Sequence, residues 1–373
     1  MTTKPADDIA SIFAKTLHHG ARSLRAGDLV VPPIVPASVY CLPGDPSGPY
    51  QYGRWSNPTW SALEEALTEL EAAETVVFPS GMAAIASLLY TQLRSGDHVL
   101  LPSDGYYTTR AFAQQFLSPF GIIVDLCSTS DIDQRSLDGY RLVWVETPSN
   151  PGLDLCNIER VIAGAKRADA IVVVDNTTST PLGQRPLDFG AHAIVSSDTK
   201  TVSGHSDTLM GHVSSRNPGL IVQIREWRKL SGAIPGPFEA WLVHRGLESL
   251  EVRYSQMCAT AEILAHRLSE HRAIEAVRYP GLPTHPAHNT AKAQMLRFGA
   301  LIGVTFGSKD AADCFIEKTS FIRAATSFGG VQTSAERRAR WGDQVSDGFI
   351  RLSVGCEPSQ VLWTDMKRVL DNL

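Results

Sequence analysis

The stretch IVVVDNTTSTP (residues 171–181) decides the fold. An isoleucine and three valines run without polar alternation and stop at Asp175. Such a run suits a strand buried on both faces, as in a parallel sheet, and β-branched side chains favour that geometry. Comparable runs lie on either side, at Val76–Pro79, His98–Pro102, Ile122–Cys127, Arg141–Glu146 and Ala193–Ser197. Helix-like stretches separate them, at Trp60–Leu70, Met82–Leu93, Thr108–Leu117 and Ile158–Arg167. Strand followed by helix, repeated, predicts an α/β fold with a mostly parallel sheet covered on both faces. Ligands of such sheets sit beyond the carboxyl ends of the strands. The polar residues directly after strands (Ser80, Asp104, Glu146, Asp175 and Ser197) therefore mark where a site belongs.

The rest of the chain divides around this region. Residues 1–55 are rich in Pro and Gly, with only a short helix expected near the start, and predict an extended arm. Residues 56–238 hold the strand–helix alternation, and 239–373 a smaller α+β domain. The latter is expected to open with one long helix from Glu239 to His271. Strands at Ala300–Phe306 and Ile350–Val354 and helices at Asp310–Lys318 and Pro358–Leu370 are expected after it.

Composition excludes several classes. The 373 residues are 43% hydrophobic and 20% charged, with a net charge of -5. No basic run offers a surface for nucleic acid or an anionic membrane. No apolar stretch is long enough to span a bilayer. The first residues lack a secretory pattern, so a soluble cytoplasmic protein is expected. The six cysteines form no CxxC pair and suit reduced, buried thiols. His205, His285 and His288 lack the surrounding ligands of a zinc pattern, and no metal is expected.

The chemistry begins with Asp175, whose carboxylate emerges at the end of its strand. After the strand ending at Ser197 comes SSDTKTVSGHSD (196–207), which places Lys200 among small hydroxyl residues. A lysine in a pocket that lowers its pKa can form a Schiff base. Ser197 and Thr199 offer donors to a phosphate, and Asp175 suits a protonated pyridine nitrogen. PSGMAAI (79–85) follows a strand and opens a helix, so the amides of Gly81 and Met82 suit a phosphate as well. Singly, a strand-terminal Asp is a common turn former, a lone Lys is surface, and a Gly is a turn. Their order along the chain is the specific signal.

With these residues in place, the chain resembles the Cys/Met-metabolism family of pyridoxal 5'-phosphate (PLP) enzymes. The family includes cystathionine γ-synthase, cystathionine γ- and β-lyase, methionine γ-lyase and O-acylhomoserine sulfhydrylases. Eight ordered blocks carry the resemblance over nearly the whole chain: YGRWSNPT (52–59), PSGMAAI, VETPSNP (145–151), VVDNT (173–177), TKTVSGHSD (199–207), YPGLPTHPAH (279–288), SFGGVQT (327–333) and IRLSVGCE (350–357). It implies the type I PLP-dependent transferase fold, with a mostly parallel seven-stranded sheet and a smaller C-terminal α+β domain.

The resemblance also implies roles. Lys200 carries the cofactor as a Schiff base and is the base for the α-proton. Asp175 pairs with the pyridine nitrogen, and Gly81, Met82, Ser197 and Thr199 cradle the phosphate. Tyr52 and Arg54 reach the phosphate of the neighbouring subunit, which would give the Pro-rich arm its order. Tyr106 stacks on the cofactor ring and assists proton transfer. Asn150 lies near the cofactor's phenolic oxygen and the substrate carboxylate, and Arg351 with Ser327 binds that carboxylate. A homo-oligomer is implied, a tetramer built as a dimer of dimers with shared sites, acting on a small amino acid.

The activity implied first is cystathionine γ-lyase, with γ-synthase, sulfhydrylase, β-lyase and methionine γ-lyase as alternatives. Before Ser327 the family's cystathionine γ-enzymes usually carry Glu, its methionine γ-lyases Val and its β-lyases Tyr; here stands Thr326. Asp198, Thr201 and His192 also depart from the family pattern and mark a divergent branch. A Schiff-base aldolase would need neither Asp175 nor a phosphate cradle. A nicotinamide enzyme would need a GxGxxG after the first strand, which the chain lacks there. A non-catalytic relative would not need Asp175, Lys200 and Arg351 together.

Overall fold

In the computed structural model, which describes residues 6–20 and 24–373, the run at 171–175 is a buried strand as expected. The fold is α/β, with a large, mostly parallel sheet of seven strands and a second sheet of five. The chain divides into two compact units, Met1–Leu93 with His192–Leu250, and Arg94–Ala191 with Glu251–Leu373. Elements are numbered in chain order.

The first unit contains α1 (Ala6–Leu17), α2 (Pro58–Glu71), β1 (Glu74–Phe78), α3 (Gly81–Gln92), β6 (Ala193–Ser196), β7 (Gly211–Ser215), α7 (Pro218–Ser231) and α8 (Pro237–Leu247). Helix α2 starts where Asn57 accepts a hydrogen bond from the Thr59 amide and Pro58 presets the first turn. Trp60, Leu63, Leu67 and Leu70 then recur at helical spacing and are all buried. Residues 24–56 hold no regular element beyond a bridge between Val39 and Tyr52. Leu29, Val30 and Val39 are exposed there. Residues 1–5 and 21–23 of the expected arm lie outside the described residues.

Strand β7 pairs antiparallel with β1 on one side and β6 on the other. Its sequence, GHVSS, has a single apolar residue, and the sequence gives no expectation of a strand there. All five residues are nevertheless buried. The polar side chains are tolerated because each finds a partner inside. Ser214 bonds to Thr75 at 2.6 Å, Ser215 donates to the His192 carbonyl at 2.5 Å, and His212 lies between two carboxylates.

The second unit contains β2 (His98–Pro102), α4 (Tyr107–Phe112), β3 (Ile123–Cys127), β4 (Tyr140–Glu146), α5 (Ile158–Ala168), β5 (Ile171–Asp175) and a short α6 (Thr180–Gly183). Its four strands of the large sheet lie in the order β5-β4-β2-β3, every pairing parallel. Asn157 caps α5 by accepting from the Arg160 amide. Lys166 and Arg167 in the last turn of α5 complement the helix dipole.

The expected single helix over Glu239–His271 is two helices, α8 and α9 (Leu250–Ser269). The break follows Gly246, a weak helix former. A Cβ at Gly246 would lie 2.4 Å from the Ser203 carbonyl oxygen, so that residue is set by a close approach of backbone. The Ser249 amide and hydroxyl both turn back to the Gly246 carbonyl.

The remaining elements are β8 (Ile274–Arg278), α10 (His288–Gln294), β9 (Leu301–Phe306), α11 (Lys309–Lys318), β10 (Arg323–Ala324), β11 (Ser334–Arg337), β12 (Phe349–Ser353) and α12 (Ser359–Leu370). The second sheet has the order β10-β11-β12-β9-β8. Its core joins Ile302, Val304, Phe306, Phe315, Leu352 and Met366. Phe315 is fully buried against Phe306, with ring centroids 5.1 Å apart. Truncating Phe315 to Ala is expected to cost about 3–5 kcal/mol through lost contact and a residual cavity. An unchanged urea midpoint would contradict that placement.

Candidate functional site

Each unit holds part of the set expected from the sequence. In the first, the phosphate-type donors gather at the start of α3. Ser80 caps the helix, its hydroxyl accepting from the Ala83 amide at 3.1 Å. No hydrogen bond of the described residues takes up the amides of Gly81 and Met82. The helix is 12 residues long, so its dipole adds to those amides. Gly81 has no room for a side chain: a Cβ would meet Ser197 Cβ at 2.8 Å and Oγ at 2.9 Å. Gly81 and Ser197 are thus brought together, as the sequence implied.

Lys200 sits on a tight turn that continues from β6. Its amide donates to the Ser197 carbonyl at 3.1 Å, and its own carbonyl accepts from Gly204 at 2.9 Å. Thr199 is tied to Met210 through its amide and its hydroxyl. Tyr52 and Arg54 belong to this unit too. The Arg54 guanidinium lies 5.5 Å from the Tyr52 ring centroid and donates to the Lys229 carbonyl.

In the second unit, Asp175 ends β5 and is buried. One carboxylate oxygen accepts from the Thr177 amide at 3.0 Å and hydroxyl at 2.5 Å. Glu146 lies beside it in register at the end of β4. The sequence reading gave Glu146 no role, yet it organises two expected residues. It accepts from the Tyr106 amide at 2.6 Å and from the Asn150 amide at 2.8 Å. A Cβ on Gly105 would lie 2.7 Å from the same carboxylate. Burial, and then the charge of Asp175, push the Glu146 carboxyl well above the ordinary carboxylate range. Tyr106 precedes α4 and is partly exposed, with its ring edge-on to Tyr107.

Arg351, on β12, is 3% exposed. It donates to the Asn150 side-chain oxygen at 2.5 Å, the Ser327 carbonyl at 2.8 Å and Glu336 at 3.2 Å. Its Nε is buried without an acceptor among the described residues. Burial, then the charge of Arg338, draws the guanidinium down to about 10. Ser327 has a φ of 72°, which turns its carbonyl toward Arg351. Asn150, Ser327 and Arg351 therefore meet, while Thr326 is exposed.

Glu336 also accepts from Arg338 and from the Trp341 indole. Glu336 did not stand out in the sequence, and Glu146 stood out only as a strand-terminal polar residue without a role. Their signal was only position, a charge next to or within a strand.

Among the described residues no cluster of three or more potential metal ligands occurs. The donors do fit a phosphorylated pyridine aldehyde. Open amides at a helix start suit the phosphate, a buried carboxylate suits a ring N–H, and a lysine suits the aldehyde.

The model of the family described as Cys/Met metabolism PLP-dependent enzyme matches residues 14–371. A Streptomyces coelicolor protein provisionally named a cystathionine gamma-lyase is 48% identical, over 94% of this chain and 93% of its own length. A cystathionine beta-lyase of Lactococcus lactis is 35% identical, over 97% of this chain and 100% of its own. Among solved structures, cystathionine gamma synthase from Xanthomonas oryzae pv. oryzae in complex with cystathionine is 32% identical. It has a TM-score of 0.92, covering 96% of this chain and 97% of that one.

The start of α3 makes a test available. A Cβ on Gly211 would lie 2.6 Å from Gly81 Cα and 2.8 Å from its nitrogen, both rigid backbone. Gly211→Ala should therefore displace the α3 start and weaken PLP loading about tenfold, or about 1.4 kcal/mol. A loading curve unchanged at the cofactor's long-wavelength absorbance would contradict the cradle.

Proposed function

The chain belongs to the Cys/Met metabolism PLP-dependent enzyme family, and we propose that within it the chain is a cystathionine γ-lyase. The reaction takes cystathionine and water to cysteine, 2-oxobutanoate and ammonia. The observation that carries an amino-acid substrate is the buried Arg351 fork, framed by the Asn150 amide oxygen and the Ser327 carbonyl. A planar guanidinium binds a carboxylate through two parallel bonds and so fixes the substrate's orientation. The γ-lyase choice rests on likeness to the Streptomyces protein.

PLP, when bound, supplies an electron sink that makes protons next to the amine removable. Gly81, Met82, Ser197 and Thr199 hold the phosphate. Asp175 keeps the proton on the ring nitrogen, and Glu146 holds the backbone from which Tyr106 and Asn150 project. Lys200 Nζ would hold the cofactor's aldehyde carbon and would serve as general base for the α-proton. Tyr106 would move a proton at its phenol oxygen. Arg351, Asn150 and Ser327 hold the substrate carboxylate, and Thr326 lies at the distal end of the substrate.

The residue 1–55 arm contributes Tyr52 and Arg54 to the neighbouring subunit in a tetramer. Exposed apolar side chains at 29, 30 and 39 support such a contact. Residues 56–238 act as the cofactor domain and 239–373 as the carboxylate-binding domain. Six free cysteines support the cytoplasm as the working compartment. No described helix is long and apolar enough to cross a membrane.

Thr326 supports a second reading. It offers no acid to a distal ammonium, which favours γ-replacement on an O-acylhomoserine, as a sulfhydrylase performs it.

The test is a substrate panel with product identification, set beside Lys200→Ala. Cystathionine should give 2-oxobutanoate and cysteine. Pyruvate with homocysteine would replace the reading by β-lyase chemistry, and a new thioether from an acylhomoserine by γ-replacement. Lys200→Ala should lower turnover roughly a thousandfold. Undiminished turnover would remove Lys200 from its role.

A further inference from the structure

Asp198, two residues before Lys200, departs from the family pattern, and the structure gives it a partner 14 residues on. His212 Nδ1 lies 2.7 Å from Asp198 Oδ1, and His212 Nε2 lies 3.3 Å from Glu71 Oε1. Asp198 and His212 are fully buried and Glu71 nearly so. A neutral imidazole has one N–H and would turn a lone pair toward one of these carboxylates. The doubly protonated ring donates to both.

We propose that Glu71, His212 and Asp198 form a buried ion triad that positions the turn carrying Lys200. The proposal rests on the reading of Lys200 as the cofactor-bearing lysine. Burial opposes a charge on His212, but Asp198, and then Glu71, outweigh it and hold the ring up to about 10. The remaining Asp198 oxygen, Oδ2, is buried with no hydrogen-bond partner among the described residues, so the carboxylate depends on His212.

The backbone carries the effect to Lys200. Thr199 is tied to Met210, and Asp198 to His212, so two consecutive residues of the turn are fixed to the start of β7. The Asp198 carbonyl also accepts from the Ser203 amide at 2.9 Å, which closes the turn around Lys200. Glu71, the last residue of α2, anchors the histidine from a separate element. Lys200 has to leave the cofactor and return to it in each turnover, so the path of this turn has to persist when the covalent link is absent. An apolar pair would fill the same volume with less desolvation, whereas the charges specify direction. The triad's members are positioning residues, since none is assigned contact with substrate.

Two measurements test this. In holoenzyme with ring-15N histidine, one histidine should keep both N–H protons at pH 8.5; finding none overturns the triad whatever Lys200 does. Asp198→Asn keeps shape and removes charge. It should lower kcat about tenfold with KM changed by less than about twofold, and should at least halve the visible circular dichroism of the bound cofactor. The apolar double variant D198A/H212L should melt near the parent yet show the same losses. Parental kcat and dichroism in either folded variant would reduce the triad to packing and overturn the proposal. Should neither variant fold, the histidine spectrum decides. Undiminished turnover of Lys200→Ala would instead remove the underlying reading of Lys200 and leave the triad's charge state standing.

Discussion

Backbone meets backbone at Gly211, and the first unit is organised around that contact. A Cβ there would lie within 3 Å of Gly81 Cα, Gly81 nitrogen and the Ser196 carbonyl oxygen. Three segments therefore converge without intervening side chains: the start of α3, the end of β6 and the start of β7. The convergence leaves the start of α3 packed against Ser197. It also sets Met210 and His212 against the turn that holds Lys200. Antiparallel β7 is what makes it possible, because it runs back between β1 and β6 and delivers its first residues to the end where β6 finishes.

The second unit is organised by buried charge. Asp175 and Glu146 end neighbouring parallel strands side by side, and burial makes two charges there costly. Glu146 meets that cost with two backbone N–H groups from separate loops, and so joins the loops of Tyr106 and Asn150. Arg351 is treated alike. Asn150, Ser327 and Glu336 share its guanidinium, so one rigid donor fork is held by groups from three places in the chain. A buried charge whose partners are fixed keeps one geometry, which suits a group meant to fix the orientation of a substrate.

The sequence is legible where local chemistry decides structure. The apolar runs at β4 and β5 need no tertiary knowledge. Asp175, Lys200 and Gly81 are singled out because motif order carries information that single residues lack. Where pairing is nonlocal the reading fails. GHVSS has one apolar residue, Val213, yet becomes a buried strand because Thr75, the His192 carbonyl and two carboxylates receive its polar side chains. The helix expected over Glu239–His271 divides because the Ser203 backbone occupies the place of a side chain at Gly246. Glu146 earned no assignment because its partners are backbone amides, which no residue type announces.

The departures from the family pattern follow the same division. Asp198, read alone, is a charged residue replacing a small one beside the lysine, and looks unfavourable. His212, read alone, is a polar residue in a poor strand. Each would be costly to bury by itself, and each offsets part of the other's cost when they meet at 2.7 Å. Thr326 differs in kind. It is exposed, and none of the hydrogen bonds described above involves its side chain, so packing gives no reason for the change. A substitution at a buried pair is explained by its partner within the chain. The exposed Thr326 has no such partner among the bonds described, and the structure offers no explanation for it.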